Sequence, residues 1–179
     1  IQYLKKNDHN IYGVKFSIQN PQKRQTLIIS TLADDLMIDC LNYYSQAEKM
    51  EGENAWFNEE TNKKQDVFRR IMFWKAPEIL IICFKRFTNS GKKIQSYIDF
   101  PLENFDFSDY LYNSNTRPIY DLYGICNHSG GTMGGHYTSF VKNANNNWYL
   151  FNDTNVRLVK NINDIISPQA YCLFYRKKK

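Results

Sequence analysis

No two cysteines in this chain of 179 residues are spaced C-x-x-C: Cys40, Cys83, Cys126 and Cys172 lie 43, 43 and 46 residues apart. That spacing speaks against a zinc ribbon and against a redox pair. Three of the four sit in apolar runs, "ILIICF", "LYGICN" and "AYCLFY", where a thiol behaves as a small buried hydrophobe. Long apolar runs are missing as well. The longest, "ILIICF" at 79–84, falls far short of the roughly 20 residues a membrane span needs and has the length of a buried strand. The first residues, "IQYLKKNDHN", lack the charge, apolar centre and small-residue site of a signal peptide. Charge of one sign is scarce: 23 basic against 18 acidic residues leave +5, and three of the lysines sit in the terminal "RKKK". A nucleic-acid binder would cluster a larger basic surplus on one face. These absences lead to the expectation of a soluble intracellular protein, cytoplasmic or nuclear, with neither nucleic acid nor membrane among its partners.

What is present is enough for a core. Hydrophobic residues make up 42% and aromatic residues 16%, a globular composition in a length that fits one domain without staples. The order of elements is α+β. "IYGVKFSIQN" and "QTLIIST" read as strands with "NPQKR" as the turn between them. From Asp34 to about Met50, Leu36, Met37, Cys40, Leu41 and Tyr44 recur at helical spacing. "DVFRRIMFW" alternates like a half-buried strand, and "EILIICFKRF" is the most apolar strand. A turn at "NSGKK" returns the chain to "IQSYIDF", its expected hairpin partner. "IYDLYGICNH", "HYTSFVK", "NWYLFND" and "AYCLFYRK" complete the strands, and no internal repeat is visible.

Chemistry concentrates in "SGGTMGGHYTSF", residues 129–140, where four glycines in seven positions precede a histidine entering a strand. "NANNN" joins "HYTSFVK" to "NWYLFND". A hairpin centred near residue 144 or 145 therefore brings His136 opposite residues 152–154, within reach of Asn152 or Asp153. An imidazole whose second nitrogen is held by an amide or carboxylate oxygen is the base and orienter half of a nucleophilic site.

The segment "YGICNHSGGTMGGHYTSFVKNANNNWYLFNDTNV", with "AYCLFYRK" after it, resembles the histidine box of the ubiquitin-specific proteases, the papain-like cysteine deubiquitinases. The family's G-G-H-Y-T, W-Y-x-F-[ND]-D and A-Y-x-L-F-Y occur here in order. Upstream, "APEILIICFKRF" is similar to its P-x-x-L-x-I-x-L-K-R-F strand and "DCLNYYSQAEKMEGENAW" to its D-C-L-x-x-F helix. The likeness runs from about residue 34 to 177. It implies a papain-like fold with an antiparallel-sheet palm and fingers, ubiquitin or a ubiquitinated protein as partner, and no cofactor. Residues 1–179 would be part of one catalytic domain, with about 1–70 as fingers and connecting helix and about 71–179 as palm. It further implies that His136 is the general base and Asn152 the third member that orients it. Asp153 would support the oxyanion or the His. Residues 129–135 would form a loop over the channel for the ubiquitin tail, with Gly134 and Gly135 leaving room for a peptide backbone. Tyr137 would wall that channel, and His128 would help position the loop.

Two departures accompany the likeness. The family's nucleophile lies in a box of the type G-L-x-N-L-G-N-T-C-Y at a helix start, where the dipole favours thiolate; nothing like it occurs here. The expectation is fingers and palm without the thumb, so these residues alone should not hydrolyse, and the thumb would be a further N-terminal segment or a separate chain. Where relatives carry W-Y-C-x-x-C, "AWFNEET" puts Asn58 and Thr61 at the cysteine positions, and "FSIQNPQKR" offers no cysteine. No metal is expected in the fingers, with Trp56, Phe57, Val67 and Phe68 packing in its place. The alternative to an enzyme part is an inactive ubiquitin-binding module.

Overall fold

The computed structural model describes residues 2–6, 11–15, 24–30, 36–112 and 117–179. In chain order the elements are β1 (Gln2–Lys6), β2 (Ile11–Lys15), β3 (Arg24–Ser30), α1 (Met37–Ser45), β4 (Glu48–Met50), β5 (Trp56–Asn58), β6 (Lys63–Gln65) and β7 (Val67–Arg69). There follow β8 (Ile79–Lys85), β9 (Phe105–Asp106), β10 (Ile119–Gly131), β11 (Gly134–Lys142), β12 (Trp148–Asn152), β13 (Asn155–Leu158) and β14 (Ala170–Lys177). The chain divides into two compact units, one of residues 1–21 and 45–72, the other of 22–44 and 73–179. Helix α1 up to Tyr44 and strand β3 thus group with the larger unit, whereas the sequence reading placed both within a segment 1–70.

The larger unit is built on an eight-stranded sheet in the order β13-β12-β11-β10-β14-β8-β3, with β9 also paired to β10. All its pairings are antiparallel except β3 with β8. Alternation selects the core face: Leu80, Ile82 and Phe84 of β8, Leu122 of β10, and Leu173 and Tyr175 of β14 are buried. Met37, Cys40, Leu41 and Tyr44 fall at i, i+3, i+4 and i+7 of α1; the first three belong to the same core cluster and Tyr44 packs against it. The helix is anchored by Met37 N–H donating to the Asp99 carbonyl at 2.8 Å and by Tyr110 Oη donating to Asn42 Oδ1 at 3.0 Å.

Several expectations are corrected. The helix, Met37–Ser45, ends well before Met50, and the chain then turns into β4; residues 34 and 35 lie outside the described residues. Strand β2 pairs with β1, not with β3, which joins the large sheet instead; the expected "NPQKR" turn falls largely outside the described residues. Only Val67–Arg69 of "DVFRRIMFW" is a strand. The expected hairpin return forms only at its start, where Phe87 and Lys93 make an antiparallel bridge and Ile94 N–H donates to Arg86 O at 2.6 Å; beyond it "IQSYIDF" is not a strand, and the side chain of Arg86 takes carbonyls of the returning segment. Its Nη1 donates to Ile94 O at 3.2 Å and Ser96 O at 2.9 Å, and its Nε to Ala170 O at 2.6 Å.

In the smaller unit β4 pairs with β7 and β5 with β6. Expected packing by Phe57 and Phe68 does not occur: they are 49% and 68% exposed. Polar contacts hold these short ladders instead. Asn58 is buried, its Oδ1 accepting from Glu60 N–H at 2.9 Å and its Nδ2 donating to Gln65 Oε1 at 3.2 Å, which closes the β5–β6 turn. Arg70 Nε donates to Ser45 O at 2.6 Å, and Arg69 pairs with Glu48.

Leu122→Ala should lower the unfolding free energy by about 2–5 kcal/mol, because a fully packed site cannot collapse around the lost atoms. Tyr43→Ala, at a side chain 67% exposed, should change it by less than about 0.5 kcal/mol. Urea unfolding of the two variants checks the contrast.

Candidate active site

The stretch 129–135, expected as a loop, is a tight hairpin. Gly131 pairs with Gly134, Gly130 with Gly135, Ser129 with His136 and His128 with Tyr137, so only Thr132 and Met133 are left to turn the chain. Gly130 has φ +106°, a conformation costly for any residue with a Cβ, and a Cβ there would lie 2.7 Å from the Gly134 carbonyl oxygen. Gly135 is required for a different reason. A Cβ on it would overlap Nε2 of His128 and the Ser129 carbonyl oxygen, so the ring of His128 occupies the place of the missing side chain. Around Gly134 there is open space. Gly135 thus answers an internal demand of the hairpin, which Gly134 does not share.

His128 is buried and its ring is held on several sides. Tyr137 stacks at 4.7 Å between centroids, with Phe87 and Tyr171 each at 5.8 Å. Lys93, which the sequence reading passed over as part of a turn, donates to its Nδ1 at 3.1 Å and also to its backbone carbonyl. Burial, and then the charge of Lys93, push the His128 pKa below the ordinary histidine value. His128 is therefore a neutral packing and hydrogen-bonding group that fixes β10 against β11. Tyr137, 57% exposed, lies between that ring and solvent.

His136 precedes Tyr137 on β11 and faces the other way. Its side chain is 48% exposed, and its Nε2 meets Asn152 Oδ1 at 2.6 Å. The register between β11 and β12 runs Ser139↔Phe151 to Lys142↔Trp148. Continued by one step it opposes Asn152 to Thr138, two residues along the same face from His136, a diagonal that long side chains span. Asp153 follows at φ +50°, in the turn that brings Asn155 back opposite Asn152. Its Oδ2 lies 3.9 Å from the same Nε2, in an exposed position where water weakens the attraction. Of the two oxygens that the sequence left open, the amide is the one in hydrogen-bond range.

This geometry has a chemical consequence. An amide oxygen can only accept, so in the neutral imidazole Nε2 carries the hydrogen and the lone pair is on Nδ1. Half-exposed and held by one nitrogen, the ring presents a base on the other.

The cysteines are placed differently from expectation. Cys40 is buried, but Cys83, Cys126 and Cys172 are only half-buried, one on each of three neighbouring strands. Cys126 opposes Ser139, three residues from His136, or about 10 Å along the strand. Among the described residues no group of three or more His, Cys, Asp or Glu side chains is arranged to hold a metal ion.

Residues 4–175 match the family model for ubiquitin carboxyl-terminal hydrolase, and the chain belongs to that family, among the ubiquitin-specific proteases. It is 34% identical over 145 residues to human ubiquitin carboxyl-terminal hydrolase 15, an alignment covering 78% of this chain and 15% of that protein. To Arabidopsis thaliana ubiquitin carboxyl-terminal hydrolase 9 it is 36% identical over 146 residues, covering 79% and 16%. Among solved structures, a chain of the SAGA DUB module with Ubp8, Sgf11, Sus1 and Sgf73 bound to monoubiquitin superposes with a TM-score of 0.75 at 27% identity. That alignment covers 86% of this chain and 35% of the other. The ubiquitin aldehyde complex of the same module gives 0.74 at 25% identity. The chain thus spans under a fifth of the length of these curated relatives.

Gly135→Ala should lower the unfolding midpoint and shift the His128 and Tyr137 ring resonances, at a cost of roughly 1–3 kcal/mol for overpacking. Gly134→Ala should leave both unchanged. Thermal unfolding and NMR of the two variants check this difference.

Proposed function

We propose that this chain supplies the general base and its orienter to a cysteine deubiquitinase, and that the nucleophilic cysteine comes from a thumb segment outside these residues. The observation that carries the proposal is the 2.6 Å contact of His136 Nε2 with Asn152 Oδ1. In this reading the eight-stranded sheet serves as palm, the smaller unit as fingers, and His136 Nδ1 takes the proton of the incoming thiol. The thiolate attacks the carbonyl after ubiquitin's terminal glycine, and the imidazolium returns the proton to the leaving amine. Water then releases the acyl group with His136 again as base. Asn152 holds the ring without adding a charge that would favour the imidazolium permanently. Asp153, near the same nitrogen but solvated, supports the transient positive charge.

The hairpin at 129–135, with Tyr137 on its flank, would border the channel for the ubiquitin tail. The related structures bound to monoubiquitin and to ubiquitin aldehyde support ubiquitin as the partner class. The proposed setting is the cytoplasm or nucleus. A second reading, a ubiquitin-binding module without catalysis, is favoured by one observation: Cys126, the cysteine nearest His136 in sequence, lies several residues along the sheet from it.

The test is to react the full-length natural protein with ubiquitin carrying a C-terminal electrophile. A covalent adduct is expected. In the same protein His136→Ala should slow hydrolysis by roughly two to four orders of magnitude while ubiquitin affinity holds, because a general base acts in the transition state. Ubiquitin binding without an adduct would replace the enzyme reading with the binding module.

A further inference from the structure

The face of the large sheet away from its core carries a row of thiols that the proposed chemistry does not use. Cys83 of β8 and Cys172 of β14 are directly opposed in an antiparallel ladder that runs without a bulge from Ile79↔Arg176 to this pair. Their sulfurs are 2.9 Å apart, and both residues are half-buried. Directly opposed antiparallel residues have Cα atoms about 4.5–5.5 Å apart, inside the range that a disulfide spans. The sulfurs would need to close by only about 1 Å to bond. Cys126, opposite Cys172 on the other side, is less suited. The β10–β14 ladder shifts register right after it, and its thiol donates to the Asn127 carbonyl at 3.9 Å.

We propose that Cys83 and Cys172 are a peroxide-sensitive dithiol whose oxidation staples β8 to β14, two adjacent interior strands of the core-bearing sheet. The sulfur of Cys83, as thiolate, attacks one oxygen of hydrogen peroxide. The O–O bond breaks, a sulfenic acid remains on Cys83, and the departing hydroxide takes up the thiol's proton as water. The sulfur of Cys172 then displaces the sulfenic hydroxyl, forming the S–S bond, and that hydroxide leaves with the Cys172 proton as a second water. Two thiols and one peroxide become one disulfide and two waters, the sulfur pair giving up the two electrons that the peroxide accepts.

The two thiols are not equivalent, which gives the pair a nucleophile and a resolving partner. The hydrogen bond between the two thiols favours the thiolate on Cys83, and the same contact together with desolvation disfavours it on Cys172. Cys83 is therefore the sulfur favoured to attack, and Cys172 the one that holds its proton until the second step. In a reducing compartment the pair stays as thiols and closes only under oxidant.

The full-length protein, treated under native conditions with a small excess of hydrogen peroxide, alkylated and digested, should yield a linked peptide pair containing Cys83 and Cys172. Dithiothreitol should restore both thiols. Oxidation should raise the urea midpoint of the wild type and leave that of Cys172→Ser unmoved, and Cys126→Ser should still form the link. Peroxide-treated wild type with both cysteines still alkylatable would overturn the proposal. So would a sulfinic acid on one of them without a link, or a link from Cys172 to Cys126. Should the serine variants fail to fold, the wild-type map decides alone. The readout is thiol status, so its outcome is independent of whether the protein hydrolyses ubiquitin.

Discussion

The pairing register of β10, β11 and β12 is the constraint on which the site depends. Side chains alternate across a sheet with a period of two, so a slip of one residue would turn His136 to the opposite face and carry it away from Asn152. Two local devices hold the register. On one side the His128 ring fills the space over Gly135 and is clamped by Lys93. On the other, the "NANNN" turn closes through Asn143 N–H donating to Asn147 O at 2.9 Å, with Asn146 accommodating φ +63°. Tight turns on both sides of β11 fix the strand that carries the histidine.

The buried charge of Arg86 supports the same sheet from another direction. It is fully buried and pairs with three backbone carbonyls rather than with a carboxylate. Those carbonyls belong to the start of β14 and to the segment 94–96 beside β8, so one planar guanidinium ties a central strand to an irregular stretch of chain. Desolvation without a counter-ion costs free energy, which the multiple charge-assisted bonds offset. The gain is positional. Segment 92–98 is fixed beside the sheet, and Lys93 reaches His128 from it.

Strands β8, β10, β11, β12 and β14, and the His136–Asn152 contact, were legible because they rest on short-range signals: alternation, turn residues and a hairpin count; the short β9 and β13 carry too few residues to show alternation. The parts that could not be read depend on distant contacts. Nothing local in "QTLIIST" says that it will lie parallel to β8 rather than beside its sequence neighbour. Nothing in "FKRF" says that its arginine will turn inward and take carbonyls of the returning segment. The glycine stretch misled for a related reason: four glycines suggest looseness, whereas two of them answer to positive φ or to a ring packed from the neighbouring strand. The cysteines showed the limit of composition. An apolar run was taken to mean burial, but alternation puts Cys83 and Cys172 on the face opposite Ile82 and Leu173.

Structural and functional demands separate cleanly between the adjacent residues Gly135 and His136. Gly135 and His128 are parts the fold needs, since one cannot carry a Cβ and the other is buried among aromatic rings and a lysine. His136 and Asn152 are exposed, and a hydrogen bond between exposed side chains contributes little to stability because water competes for both partners. The fold would stand with other residues at both positions. A 2.6 Å contact that the fold does not require, supported by a hairpin that it does, is the arrangement expected where rigidity is used to aim a reactive group.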